Sequence, residues 1–147
     1  MKLRIATLTT IGLAAFSALF SNLRADAKRS VWDGVFTEDQ AKQGQPLYNE
    51  NCSSCHGDTL IGQDVAPALV GGEFLSNWDG LTLGDLFERI RTTMPASKPG
   101  SLIREKNAAI LAYILSVNQF PAGKIALPQQ KEVLDEIKIS ASKPEKK

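Results

Sequence analysis

Cys52-Ser53-Ser54-Cys55-His56 decides how the rest of this chain is to be read. Two thiols three positions apart lie on one helical turn, and an imidazole follows at once. That spacing lets each thiol form a thioether to a vinyl group of one haem and sets the imidazole beneath the iron as proximal ligand. Other uses of the motif fit less well. A Cys52–Cys55 disulfide closes a very short loop and constrains the unfolded chain little. A thioredoxin-like pair needs a neighbouring strand–helix–strand pattern, which is missing here. A zinc site takes four ligands, and the chain has two Cys and one His.

The N-terminus reads as a targeting segment. Lys2 and Arg4 precede an apolar run from Ile5 to Phe20, and Ala25-Asp26-Ala27 has the small-x-small form of a cleavage site. Residues 1–27 are therefore expected to be a signal peptide cut after Ala27, with the mature protein in the periplasm. The alternative is an uncleaved membrane anchor, although a 16-residue run interrupted by Thr, Ser and Gly falls short of the roughly 20 residues that span a bilayer. The remaining 120 residues make one domain, with 14 basic and 15 acidic side chains. Such a balance offers no basic stripe for nucleic acid and no strong steering field, and predicts weak salt dependence.

The mature chain patterns as helices. Residues 28–36 form an N-terminal arm expected to be irregular. Thr37-Glu38-Asp39-Gln40 reads as a capping box opening a helix to about Glu50, with Ala41, Gly44, Leu47 and Tyr48 on its inner face. Gly44 inside a helix costs about 1 kcal/mol relative to Ala, so close approach of another helix is expected there. Residues 57–81 carry five glycines and no sustained period, which predicts a long loop wrapped around a bound group. Thr82 and Asp85 cap a second helix whose Leu83, Leu86, Phe87 and Ile90 share a face. An Asp85–Arg89 pair is expected on its outside, and Pro95 ends it. A third helix begins at Ser101 or Arg104 and runs to Val117 along Ile110, Tyr113 and Ile114, with Asn118 expected to take a left-handed cap. Beyond Phe120, residues 121–147 form a C-terminal extension in which Pro128 starts a short helix carrying Leu134 and Ile137, with a disordered end.

A proximal histidine leaves one axial position, and its occupant decides the chemistry. Met94 is the one methionine after the signal segment and lies 38 residues beyond His56, just before Pro95. The proline pushes the backbone out of the α region, which lets a thioether point off the helix end. The alternative is a core methionine, the commoner role of this residue type.

Together, Cys52-x-x-Cys55-His56, Gly44, Tyr48, Ile110, Tyr113 and Met94 resemble the class I c-type cytochromes over about residues 37–120. The resemblance implies an all-α cytochrome c fold, with three main helices and loops around one covalently bound haem c. It implies that Cys52 and Cys55 attach the haem and that His56 and Met94 ligate iron. By the same resemblance, the Pro67 carbonyl accepts from the His56 ring, Leu69 packs on the haem and Trp78 donates to a propionate; Trp78 otherwise reads as a packing residue. Arg89, Arg91 and Lys98 read as solvated charge. A narrower similarity, in Met94-Pro95, Pro99-Gly100-Ser101-Leu102 and Phe120-Pro121-Ala122-Gly123, is to small cytochromes associated with quinoprotein alcohol dehydrogenases. Ile103 departs from that pattern where relatives have Ser or Thr. The function so implied is one-electron transfer from a periplasmic dehydrogenase to a terminal oxidase, with no catalysis, no small-molecule substrate and no membrane contact unless the signal segment stays. A haem subunit of a dehydrogenase complex is the alternative. A peroxide- or gas-reactive protein is a further one, should Met94 not bind.

Overall fold

A computed structural model describes residues 29–64 and 66–145 of the chain. The expected signal peptide and its cleavage site at Ala27 lie outside the described residues. In chain order come strand β1 (Arg29–Ser30), a 3-10 turn at Val31–Asp33, α1 (Glu38–Asn51), α2 (Ser53–His56), α3 (Gly71–Trp78), α4 (Leu83–Thr93), α5 (Arg104–Val117), α6 (Lys131–Leu134) and β2 (Ile137–Lys138). The fold is all-α apart from one two-residue strand pair.

α1 and α5 form the most extensive helix pair. Gly44 explains why: a Cβ there would collide with the Ala109 carbonyl oxygen and stand 2.9 Å from the Tyr113 Cβ. The bare glycine lets the two backbones meet. Tyr48 and Tyr113 then pack across the crossing with ring centroids 5.5 Å apart and planes tilted by 53°. α4 completes the frame by burying Leu83, Leu86 and Phe87. Its N-terminus has the expected capping box: Thr82 Oγ1 accepts from the Asp85 amide at 3.1 Å, and Asp85 Oδ2 accepts from the Thr82 amide at 3.0 Å.

Several expectations need correction, some because a distant partner wins over a local pattern and others because a different local partner does. The arm is not irregular. Ser30 and Asp33 make a capping box, and β1 pairs in parallel with β2. Gln40 does not close a box with Thr37, which alone accepts from the Gln40 amide at 3.2 Å. The Gln40 side chain instead grips Leu127, accepting from its N–H at 2.7 Å and donating to its carbonyl at 3.0 Å. The wrap segment contains a helix, α3. Asp85 faces Thr82, and no ion pair joins it to Arg89 among the described residues; the outer pair of α4 is Glu88–Arg91, with Arg91 Nε 2.9 Å from Glu88 Oε2. The left-handed residue after α5 is Gln119, with φ 63°, while Asn118 stays at φ −77°. The segment past Phe120 shares the main core through Leu127, Leu134, Ile137 and Ile139. There α6 spans Lys131–Leu134 and Ile137 lies in β2. Among the described residues no helix is long and apolar enough to cross a membrane.

Candidate haem attachment site

The attachment turn is built by the end of α1. Cys52 leaves the helix with its amide still on the Tyr48 carbonyl at 2.8 Å. Its own carbonyl then accepts from Cys55 at 3.2 Å and His56 at 3.0 Å, winding α2. Gly57, at φ 74°, ends the turn, a conformation that favours glycine. Cys52 is half-buried, Cys55 exposed and His56 buried, and both thiols are free. Burial, and then the charge of Cys55, push the Cys52 thiol up to about 11. A dithiol redox centre needs a lowered thiol pKa, so the environment here opposes that use.

His56 is held from several sides. Its Nδ1 lies 2.9 Å from the Pro67 carbonyl oxygen. A carbonyl only accepts, so Nδ1 carries the proton and Nε2 keeps its lone pair. The His56 carbonyl accepts from Gly62 N–H at 3.0 Å. Next to it, the buried Tyr48 hydroxyl donates to the Gly57 carbonyl at 2.7 Å. Burial first, then the charge of Cys52, raises the Tyr48 pKa well above its ordinary value. Tyr48 is thus a core residue and also a clamp on the turn, a role that its place on an apolar face did not reveal.

The remaining expected site residues lie on the wrap and on α4. Leu69 is half-buried, with its amide on the Leu60 carbonyl at 2.7 Å and its carbonyl on Asn118 Nδ2 at 2.9 Å. Trp78 ends α3, half-buried, and its indole N–H meets no acceptor among the described residues. Trp32, by contrast, donates to the Ser140 carbonyl at 2.9 Å. Met94 caps α4 in an extended conformation, φ −119° and ψ 154°, with its amide on Ile90 at 3.0 Å and its carbonyl on Gly100 N–H at 3.3 Å. The structure thus joins His56 to Pro67 directly, whereas no hydrogen bond links Trp78 or Met94 to the attachment turn among the described residues.

These residues fit a haem. The exposed Cys55 and half-buried Cys52 thiols stand at the spacing of two thioether links, and the Nε2 lone pair of His56 is a donor suited to haem iron. Leu69, Val70, Leu75, Trp78, Ile90 and Leu102 pack against the core yet stay only half-buried. Partly exposed apolar side chains of this kind are what a porphyrin face would cover.

An all-α frame carrying a Cys-x-x-Cys-His turn, its imidazole oriented by a proline carbonyl, defines a c-type cytochrome. Residues 39–114 match the family model described as cytochrome C oxidase, cbb3-type, subunit III. The chain is 33% identical over 119 residues to cytochrome c-551 of Bacillus subtilis (strain 168), which covers 79% of this chain and 97% of that protein. Among solved structures it is similar to the sulfane dehydrogenase SoxCD from Paracoccus pantotrophus, at 26% identity and a TM-score of 0.44. That match covers 60% of this chain and 53% of the other, so the chain spans about half of it. The chain belongs to the cytochrome c family, as a monohaem class I c-type cytochrome with covalently bound haem c.

Proposed function

We propose that this cytochrome is a one-electron carrier between proteins, in which His56 and Met94 would be the side chains that hold the haem iron. The observation that carries the reading is the His56 Nδ1–Pro67 contact of 2.9 Å, which leaves Nε2 as the donor atom. When bound, haem iron cycles between ferric and ferrous states and so stores one electron. The protein's part is to keep that change small. Pro67 holds the imidazole in one orientation, and a hydrogen bond of this kind raises ligand basicity. A thioether at Met94 and an apolar surround favour the ferrous state, hence a higher potential than paired histidines would give. With His56 and Met94 both bound to it, the iron would offer no position to a substrate. The ferric spectrum tests this: a weak long-wavelength sulfur-to-iron band is expected, and a high-spin spectrum would overturn the axial assignment.

The proposed route runs from a periplasmic dehydrogenase, of quinoprotein type on the motif similarity, to a terminal oxidase. Residues 1–27 would direct export and residues 37–120 would form the haem domain. Stopped-flow mixing with candidate dehydrogenases tests the route, and haem reduction no faster than in buffer would exclude each one. A second reading is a fixed haem subunit, supported by the matching family model's description as an oxidase subunit. The segment after Phe120 buries Leu127, Leu134, Ile137 and Ile139 in this chain's own core and leaves Ile125 and Val133 exposed on its outer side. Sedimentation of native extracts separates a free carrier from a component that travels with other chains.

A further inference from the structure

Asn118 sits at the C-terminal end of α5 and uses its amide on another part of the molecule. Nδ2 donates to the Ile114 carbonyl on its own helix and to the Leu69 carbonyl, each at 2.9 Å. Oδ1 accepts from Gly71 N–H at 3.0 Å. Gly71 is the first residue of α3, whose N-cap Val70 provides no side-chain cap. The orphan donor at that helix start is therefore satisfied by a residue 47 positions away. One amide closes the end of α5, starts α3 and fastens the strand of chain between.

The fastened chain is the one that holds His56. Pro67 lies two residues before Leu69, and Leu69 is tied at both its N–H and its carbonyl. These ties on one side and the Gly62 backbone on the other flank the Pro67 carbonyl. We infer that Asn118 is a positioning residue for the His56 imidazole, acting through Leu69 and Pro67; the inference rests on reading His56 as the iron ligand. Loss of the Asn118 amide lets the 67–71 segment open locally and exposes the Nδ1 proton to solvent. The same amide sets the start of α3, and so the helix that ends in Trp78.

The test is proton NMR of the ferric holoprotein, following solvent exchange of the His56 Nδ1–H and the Gly71 amide. In the parent, slow exchange at both is expected, and a Gly71 amide exchanging as in an open chain would overturn the inference without any variant. Asn118→Ala removes all three side-chain bonds, two of them to the 69–71 segment, and should speed Nδ1–H exchange by about tenfold or more. Asn118→Asp keeps an acceptor for Gly71 but cannot donate to Leu69, so it should speed Nδ1–H while Gly71 stays protected. Ser116→Ala removes a bond to the Tyr113 carbonyl at the same helix end and should leave both protons unchanged. Parent-like Nδ1–H exchange in a folded Asn118 variant, or an equal change in Ser116→Ala, overturns the inference. If the parent shows no hyperfine-shifted imidazole at all, the ligand reading fails instead.

Discussion

Gly62 is backed against the Pro67 backbone: a Cβ at position 62 would stand 2.9 Å from the Pro67 carbonyl carbon and 2.5 Å from the Ala66 oxygen. The residue also adopts φ +80°, where an L side chain is strained. Gly62→Ala should therefore cost at least about 2 kcal/mol of stability and push Pro67 away from His56. Denaturant unfolding gives the first quantity and the His56 ring resonances the second. Parent-like values for both would mean that the loop relaxes without moving the carbonyl.

Met94→Ala removes the proposed thioether and leaves the α4 end otherwise intact. The variant should show a lowered reduction potential and bind cyanide or CO rapidly. Potentiometry and ligand-binding kinetics read these directly. No change in either would remove Met94 from the ligand set.

Gln40→Ala tests the clamp on the C-terminal segment. It strips partners from both the N–H and the carbonyl of the buried Leu127. Leaving such groups unpaired costs about 1–3 kcal/mol, so the thermal midpoint should fall by several degrees. The ferric spectrum should stay unchanged, because no residue of the attachment turn is touched.

These contacts mark where the sequence was legible. The attachment turn could be read because thioether chemistry dictates its spacing, and Thr82–Asp85 could be read because a capping box is complete within four residues. α3 could not. It opens on Gly71-Gly72, both poor helix formers, and its missing cap comes from Asn118. Gln40 shows both cases at once: its backbone obeys the local rule at Thr37, while its side chain answers Leu127, 87 residues away. The β1–β2 pair likewise joins the two ends of the described chain, and two-residue strands leave no period to find. Gly62 was visible only as one loop glycine among five.

Alkaline stability follows from Tyr48. Its folded-state pKa is raised by burial, so the unfolded chain releases this proton more readily. The Tyr48 contribution is complete below the ordinary value of 10.0 and declines as pH climbs from there toward the raised folded value. Tyr48→Phe should lose stability near neutrality, by about 1–3 kcal/mol for the orphaned Gly57 carbonyl, yet show a flatter decline above pH 10. Urea midpoints from pH 7 to 11 compare the two. Parallel curves would mean that Tyr48 does not set the alkaline limb.

Charge distribution makes a sharper prediction than net charge. From Gln43 to Glu88 the sequence holds seven Asp and Glu residues and neither Lys nor Arg. Glu88 pairs with Arg91, and Asp85 caps α4. Glu50, Asp58, Asp64 and Glu73 are exposed and join no ion pair among the described residues. Glu50 and Asp58 flank the attachment turn in sequence, and Asp64 and Glu73 line one shallow cavity with Ile61, which is 68% exposed. Such a local field predicts a salt dependence stronger than the near-zero total charge implies. A small cationic reductant should react faster at low ionic strength and slow as salt rises, by about threefold or more, while an anionic one should do the reverse. Stopped-flow rates across a salt series measure both slopes. Asp58→Lys with Asp64→Lys should flatten or invert them; equal slopes for the two reductants would place electron entry away from this face.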